Sequence, residues 1–207
     1  MIEAVVFDMD GVLIDAKEWH YESLNKALAL FGFEISRYDH LTAFDGLPTS
    51  RKLEMLSVMS HLPRDLHPFI NRMKQAYTME MVYERCRPRF IHEYALSRLK
   101  AKGYRLAVAS NSILPTVRTM MEKADLGRYL DLMLSADDVT QPKPSPEIYQ
   151  TAMTRLGVAS HNCLVVEDND NGVRAARASG AHVLVVADVS EVNFDNIQAA
   201  IRHADGV

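Results

Sequence analysis

Residues 1–15 read MIEAVVFDMDGVLID, a short apolar run that ends in two aspartates and a glycine. The apolar run is Ala4–Phe7, and Asp8, Asp10 and Gly11 follow it. A continuous apolar run of this length is typical of a strand that is buried on both faces, as in a parallel sheet. Open parallel sheets bind their ligands just beyond the carboxyl ends of the strands. This stretch therefore predicts a parallel α/β fold with a ligand site beside Asp8.

The rest of the chain repeats the pattern of buried strand and helix. Four more apolar runs are predicted as strands, namely Leu106–Ala109, Leu132–Ser135, Leu164–Val166 and Val183–Val186. The helical segments between them begin at proline or end at glycine in several cases, and they are Leu96–Lys102, Pro115–Lys123, Pro146–Leu156 and Gly172–Ser179. Strand and helix in alternation predict an α/β fold with right-handed crossovers.

Residues 16–85 have a different pattern, with helical periodicity and no strand-like run. The predicted helices of this segment are Glu18–Phe31, Thr49–Met59 and Leu66–Tyr83. Because the first strand precedes the segment, it is an insertion rather than an N-terminal domain. We therefore predict an α/β core domain of residues 1–15 and 86–207 and a helical domain of residues 16–85.

Composition argues against some classes of partner and location. The 207 residues carry a net charge of −4, which argues against nucleic acid or an anionic membrane as the main partner. The two cysteines, Cys86 and Cys163, have no metal-binding spacing and suit a reducing compartment. The N-terminus has no basic start before a long apolar core, and no stretch approaches about 18 consecutive apolar residues. We expect no signal peptide, no membrane span and a cytoplasmic location.

Polar residues follow the later strands as they follow the first. Ser110 and Asn111 come after the second strand, Glu167 and Asp168 come after the fourth, and Lys143 precedes a helix. Carboxylates gathered in one crevice repel each other unless a cation lies between them, and all-oxygen ligation suits Mg²⁺. A magnesium ion and a lysine together neutralise a transferred phosphoryl group. One carboxylate is then a candidate nucleophile and a second a candidate general acid and base.

Four motifs in this order resemble the haloacid dehalogenase superfamily. They are FDMDGVLID at 7–15, SN at 110–111, KPSP at 143–146 and VVEDNDNGVRAARASG at 165–180. The resemblance implies a Rossmann-like, doubly wound parallel sheet. The insertion resembles the α-helical cap of the phosphoglycolate phosphatase and β-phosphoglucomutase branch, a cap that is expected to close over the substrate and exclude water.

The resemblance also implies a role for each motif residue. Asp8 is the implied nucleophile, which forms an aspartyl-phosphate, and Asp10 is the implied general acid and base. Ser110 and Lys143 are implied to bind the phosphoryl group. The implied magnesium ligands are Asp8, Asp10, Asp168 and Glu167. Because the halide-removing branch lacks the second aspartate, Asp10 argues against dehalogenation.

Predicted substrate contacts lie mainly in the insertion, and they are Asn111, His20, Asp45, Thr49, Arg51 and Lys74. β-Phosphoglucomutases have a lysine before the glycine of the loop FDGLPTSRK and an arginine after it, whereas this sequence has Asp45 and Thr49 there. An acidic side chain suits the hydroxyl groups of a sugar. We therefore predict magnesium-dependent hydrolysis of a small phosphomonoester, such as a sugar phosphate, by a monomer or weak homodimer.

Other interpretations stay open. A β-phosphoglucomutase-like mutase remains an alternative, with Arg51, Lys52 or Lys74 in a shifted geometry. A phosphorylated signalling module also combines acidic residues, a hydroxyl and a lysine, but it needs no cap. Some of the motif residues have a structural alternative: Ser110 and Asn111 as helix caps, Glu167 as a residue that orders its loop, and Asp170 and Asn171 as caps of the helix at Gly172.

Overall fold

A five-stranded parallel sheet forms the centre of the larger part of the chain. The computed structural model describes residues 1–44 and 46–206. The strands are β1 (Ala4–Phe7), β2 (Arg105–Ala109), β3 (Leu132–Leu134), β4 (Cys163–Glu167) and β5 (His182–Val185). Their order across the sheet is β3-β2-β1-β4-β5, and each neighbouring pair is parallel. The predicted α/β class with a parallel sheet is confirmed.

Helices precede, connect and follow these strands. Those of the segment after β1 are α1 (Lys17–Ala29), α2 (Arg37–Asp39), α3 (Thr49–Ser60) and α4 (His67–Arg85). Those of the rest of the chain are α5 (Phe90–Ala101), α6 (Leu114–Lys123), α7 (Glu147–Leu156), α8 (Asp170–Ala178) and α9 (Phe194–Asp205). Among the described residues, no helix is both long enough and apolar enough to cross a bilayer.

The central strands are buried, as their continuous apolar runs predict. Val6 of β1 pairs with Ala107 of β2 and with Val165 of β4, and all three are fully buried. The predicted strand at Val183–Val186 is less buried, because β5 is an edge strand and Val185 is 49% exposed. Apolar content alone does not distinguish an edge strand from a central one. The three central strands therefore present their carboxyl ends at one edge of a rigid layer.

The chain forms two compact units. One unit contains Met1–Asp15 together with the described chain from Cys86 onwards, and the other is Ala16–Arg85. In the first unit, Ile148 and Tyr149 of α7 and Ala175 of α8 pack with the buried strand residues. In the second unit, Leu24, Leu28 and Ile70 belong to a separate buried cluster. Each unit therefore has its own hydrophobic core.

Some helix boundaries differ from the predicted ones. Helix α8 begins at Asp170, because the Asn169 side chain caps it by accepting a hydrogen bond from Gly172 N at 3.0 Å. The expectation that Asp170 and Asn171 precede the helix as its caps is therefore wrong. The sequence analysis also did not identify α9, which follows the capping residue Asn193 and buries Ile197 and Ile201.

Candidate active site

Asp8 is fixed at the carboxyl end of β1 by its own backbone. Its N–H donates to Val166 O at 2.9 Å, which continues the ladder between β1 and β4 by one residue. The chain then turns back on itself, since the N–H groups of Leu13 and Ile14 both donate to Met9 O, at 3.0 and 2.9 Å. Asp8 is only 5% exposed. A buried carboxylate at this place needs a partner charge, because burial alone disfavours the ionised form.

Asp10 is directed by the turn in which it lies. Gly11 has a φ of 92°, a conformation that glycine adopts without steric cost, and its N–H donates to Ile14 O at 2.7 Å. The Asp10 carboxylate accepts a hydrogen bond from Ser112 Oγ at 3.2 Å, in the loop that follows β2. The second carboxylate is thereby fixed by a residue from another strand end, near enough to Asp8 for its charge to raise the pKa of Asp8.

Lys143 provides the charge that Asp8 needs. Its Nζ lies 2.5 Å from Asp8 Oδ1 and 2.7 Å from Glu167 Oε1. The ammonium also lies 4.8 Å from the ring centroid of Tyr149, within the range of a cation–π contact. The lysine side chain is 3% exposed. One buried cation therefore joins the ends of β1 and β4.

The loop that carries Lys143 is held at two points. Asn111 Oδ1 accepts from Lys143 N at 3.0 Å, and Asn111 Nδ2 donates to Lys143 O at 3.4 Å. The Glu147 carboxylate accepts from the N–H groups of Thr140 and Gln141, each at 2.8 Å. The Asn111 amide is thus engaged with the lysine backbone, and its expected contact with substrate stays a prediction.

Ser110 is buried at the end of β2. Its Oγ accepts from Ser112 N at 3.0 Å. Helix α6 begins only at Leu114, whose N–H donates to Asp137 Oδ2 at 2.9 Å, and its N-cap position is occupied by Ile113. The alternative in which Ser110 and Asn111 cap this helix is therefore wrong.

Glu167 is fully buried, and hydrogen-bond donors surround its carboxylate. Oε1 accepts from Lys143 Nζ at 2.7 Å and from the Tyr149 hydroxyl at 2.6 Å. Oε2 accepts from Asp168 N at 3.0 Å and from Asn169 Nδ2 at 3.3 Å. The side chain therefore orders its own loop, as one alternative predicts, and it also binds the lysine.

Gly172 leaves the space in which the Glu167 carboxylate lies. A Cβ atom added at Gly172 would lie 1.8 Å from Glu167 Oε1 and 2.0 Å from its Cδ. Such distances are far below van der Waals contact, and the carboxylate is held by its four donors. The glycine in the first turn of α8 is therefore required by the site rather than by backbone conformation.

The three acidic side chains at the strand ends suit a hard cation. One carboxylate oxygen each of Asp8, Glu167 and Asp168 lie within 4.8 Å of one another. Oxygen donors at such spacing match the preference of Mg²⁺ for carboxylates and water. The residues present therefore fit the magnesium ion that the sequence predicts.

The charges around Asp8 and Lys143 also favour a bound cation. Burial raises the pKa of Asp8 well above its usual range; Lys143 opposes this effect, whereas Glu167, Asp168 and Asp10 add to it. Burial lowers the pKa of Lys143, but the two carboxylates beside it outweigh this effect, so that its pKa is raised. The lysine is thus held charged, and the site contains more negative charge than one lysine can balance. A bound cation would remove that excess.

The other predicted substrate residues belong to the helical unit. His20 Nδ1 lies 3.1 Å from Lys74 Nζ, and Lys74 is buried. Thr49 is the first residue of α3 and Arg51 is exposed. Asp45 lies outside the described residues. The role of these residues in binding substrate stays a prediction.

Sequence analysis missed the residues that support the charged groups. Tyr149, Glu147, Ser112 and Gly172 contact the site or its loops, yet none of them was singled out. A weak signal existed for two of them, because Glu147 and Tyr149 follow KPSP directly in the first turn of α7. Gly172 was predicted only as the start of a helix, because the packing that requires a glycine there depends on the folded position of Glu167.

Comparison with known proteins identifies a family. A family model described as haloacid dehalogenase-like hydrolase matches residues 5–186. The chain is 31% identical over 182 residues to the phosphorylated carbohydrates phosphatase of Thermotoga maritima, a match that covers 86% of this chain and 82% of that protein. It is 28% identical over 178 residues to the fructose-1-phosphate phosphatase YqaB of Escherichia coli, covering 85% of this chain and 92% of that one.

A solved structure gives the same fold. The β-phosphoglucomutase of Clostridium difficile matches over 100% of both chains with a TM-score of 0.85 and 21% sequence identity. At this identity the likeness concerns the fold alone.

Proposed function

The chain belongs to the haloacid dehalogenase-like hydrolase family, and we propose that it is a phosphatase that hydrolyses a phosphorylated carbohydrate through an aspartyl-phosphate on Asp8. The observation that carries this proposal is the buried contact of Lys143 with Asp8 and Glu167 at the strand ends. A nucleophilic carboxylate beside a fixed cation is suited to phosphoryl transfer, in which catalysis consists mainly of positioning and charge stabilisation.

In the first step, an Asp8 carboxylate oxygen attacks the phosphorus, and the bond between phosphorus and the sugar oxygen breaks. Lys143 stabilises the charge on the phosphoryl oxygens as this bond breaks. Asp10 gives a proton to the departing sugar oxygen, which leaves as an alcohol. The hydrogen bond from Ser112 Oγ to Asp10 at 3.2 Å supports this assignment, because it fixes the position of the Asp10 carboxylate.

In the second step, a water molecule attacks the phosphorus of the aspartyl-phosphate, and the bond from phosphorus to the Asp8 oxygen breaks. Asp10 takes the proton of that water, so the same residue acts first as acid and then as base. Inorganic phosphate leaves, and the Asp8 carboxylate is regenerated. The Ser110 hydroxyl is the proposed additional donor to the phosphoryl oxygens.

Magnesium is part of the proposal. Asp8 and Asp168, with the Asp10 backbone carbonyl, are the proposed ligands, and the bound ion would supply positive charge to the phosphoryl oxygens. The excess of negative charge around Asp8 supports this requirement.

A carbohydrate phosphate is the proposed substrate class. Two relatives that match most of this chain are named as phosphatases of phosphorylated carbohydrates and of fructose 1-phosphate. The finer proposal is a sugar monophosphate in a reducing, cytoplasmic setting, and the two cysteines, both free and buried, are consistent with that setting.

The test is phosphate release from a panel of sugar phosphates and other small metabolite phosphates, with Mg²⁺ and with a chelator. We expect release from a few related sugar phosphates, and only with Mg²⁺. Release that persists in chelator, or release only from compounds without a sugar, would contradict the proposal. If no compound releases phosphate while glucose 1-phosphate is converted to the 6-phosphate with a bisphosphate primer, the chain is a mutase and the hydrolase proposal fails.

A further inference from the structure

We infer that Tyr149 is a positioning residue whose hydroxyl keeps the Glu167 carboxylate on Lys143. On this account Glu167 anchors the lysine and is not a direct ligand of the bound cation, although the family resemblance implies that it is one. The inference deepens the proposed function and rests on it, because it assigns a task within the proposed phosphatase site.

The Glu167 carboxylate has a limited number of acceptor positions. An ionised carboxylate offers about four lone-pair positions. Lys143 Nζ and the Tyr149 hydroxyl bind Oε1, at 2.7 and 2.6 Å, while Asp168 N and Asn169 Nδ2 bind Oε2, at 3.0 and 3.3 Å. All four positions are therefore occupied by protein donors. Direct coordination of a cation requires one of these donors to leave.

Release of the Tyr149 hydroxyl from Glu167 costs free energy. Tyr149 is fully buried in α7, and its hydroxyl donates to Glu167 Oε1. A buried hydroxyl that loses its partner is left without a hydrogen bond, which costs free energy. Gly172 leaves the space in which the carboxylate reaches these donors, since even one added carbon there would overlap it. Rotation of Glu167 towards a cation is therefore opposed by the hydrogen bonds that it would lose.

The position of the Lys143 ammonium depends on Glu167. Lys143 Nζ contacts Asp8 Oδ1 and Glu167 Oε1 together, so the position of Glu167 fixes the position of the ammonium. If the Glu167 carboxylate moved to a metal, the ammonium would either follow it away from Asp8 or stay with Asp8 as its only carboxylate partner. Tyr149 prevents this movement, and it thereby keeps the charge beside the nucleophile in advance of the reaction.

The ligands that remain still suit magnesium. Asp8 and Asp168 each bring a carboxylate oxygen to the same place. Mg²⁺ commonly keeps several water molecules and binds one or two carboxylates together with substrate phosphate. A third carboxylate is therefore not needed for the ion to bind.

The first test compares Tyr149→Phe with wild type and with the control Tyr129→Phe, whose hydroxyl contacts Glu93 at 3.4 Å. We measure kcat and KM for a hydrolysed sugar phosphate, and Mn²⁺ affinity of the substrate-free protein by electron paramagnetic resonance. For Tyr149→Phe we expect kcat to fall about tenfold with KM within about twofold, on the scale of losing one supporting hydrogen bond at a metal site. We expect Mn²⁺ affinity at least equal to that of wild type, because a released Glu167 oxygen becomes available as a ligand.

The control is expected to match wild type in all three quantities. An unchanged kcat in Tyr149→Phe would overturn the inference, and so would a weaker Mn²⁺ affinity. A purely structural tyrosine would weaken metal binding and catalysis together, so the opposite signs distinguish the two roles.

The second test needs neither a variant nor a substrate. In a crystal structure of the wild-type protein with Mg²⁺, we expect both Glu167 oxygens to lie beyond the coordination distance of about 2.1 Å, with Tyr149 still bound to Oε1. A direct Glu167–Mg²⁺ bond would overturn the inference even if the chain is an active phosphatase. A chain that hydrolyses no phosphate ester but keeps Glu167 away from Mg²⁺ would overturn the proposed function alone.

Discussion

Lys143 is a buried charge that lies between two buried carboxylates, Asp8 and Glu167. A buried charge without a partner costs several kcal/mol, so each member of such a group depends on the others. The same contact supports the proposed phosphoryl transfer, since the Lys143 ammonium lies 2.5 Å from the proposed nucleophile Asp8.

Lys143→Met tests the lysine, because it keeps an unbranched side chain and removes the charge. We expect kcat to fall by at least about 10²-fold, the scale measured when one preorganised stabilising group is removed. The measurement is magnesium-dependent phosphate release under saturating substrate. Lys102→Ala, an exposed lysine at the end of α5, is the control and should keep wild-type activity. A Lys143→Met enzyme close to wild type would mean that the working cation is another residue.

Gly172→Ala tests the packing around Glu167. The added carbon would lie 1.8 Å from Glu167 Oε1, so the carboxylate or α8 must move. We expect the free energy of unfolding to fall by about 1–3 kcal/mol, the usual cost of overpacking, although alanine is the better helix former by about 1 kcal/mol. Urea unfolding of the variant measures this change.

Gly127→Ala is the matched control for that substitution. Its added carbon would meet the end of the flexible Met133 side chain at 3.2 Å, which can give way. We therefore expect a smaller loss of stability there. Equal stability of Gly172→Ala and wild type would show that Glu167 has room to move, against the packing described here.

The gathering of polar residues at the strand ends could be predicted from the sequence, because parallel strands bring their carboxyl ends to one edge of the sheet. The structure brings Asp8, Lys143, Glu167 and Asp168 together, and their catalytic and metal-binding roles stay predictions. The supporting contacts of Tyr149 could not be anticipated, because they depend on side-chain directions that spacing does not specify.

At the scale of elements, short apolar runs identified the strands well because parallel strands in the middle of a sheet are buried on both faces. The same reasoning wrongly predicted β5 as a buried strand, whereas its valine and leucine residues lie at the sheet edge and are partly exposed. Helix α9 was not predicted, although the capping residue Asn193 and the four-residue spacing of Ile197 and Ile201 are typical of an amphipathic helix.

Helix α5 contains a histidine that links stability to pH. His92 is buried, and its Nε2 lies 2.7 Å from Val189 O. Burial lowers the pKa of His92 below its ordinary value of 6.5, although the hydrogen bond partly opposes this effect. As the pH falls through 6.5, the unfolded chain takes up a proton that the folded chain does not, so stability is lost on the acid side.

We therefore expect the free energy of unfolding to decline less steeply in His92→Gln than in wild type on the acid side of the ordinary histidine pKa. The glutamine keeps an N–H donor for Val189 O but does not titrate. Urea unfolding of both proteins above and below that pKa measures the difference. Parallel declines would show that another group governs the acid side.

At the scale of the whole molecule, the chain has two units with separate cores. The proposed chemistry is assigned to the unit with the sheet, whose motifs also carry the family resemblance. The substrate identity depends on finer contacts, which neither composition nor fold class specifies.

Magnesium should stabilise the whole fold if it binds where the carboxylates gather. A ligand that binds only the folded state adds about 2.7 kcal/mol at a concentration of 100 times its Kd. We expect the unfolding temperature to rise with Mg²⁺ in wild type and to rise less in Asp168→Asn, because that variant loses one carboxylate of the cluster. A sodium chloride series at matched ionic strength is the control. Equal shifts in the two proteins would place the magnesium site elsewhere.

Asp8 is the proposed carrier of the phosphoryl group during turnover, and trapping that group is the direct test of this assignment. Wild-type protein and Asp8→Asn are mixed with Mg²⁺ and a hydrolysed sugar phosphate, quenched in acid within one turnover, digested and analysed by mass spectrometry. We predict one added phosphoryl group on the peptide that contains Asp8 in wild type. In Asp8→Asn we predict no added group and no phosphate release, with an unchanged circular dichroism spectrum. A phosphoryl group on another residue, or wild-type turnover by Asp8→Asn, would contradict the account.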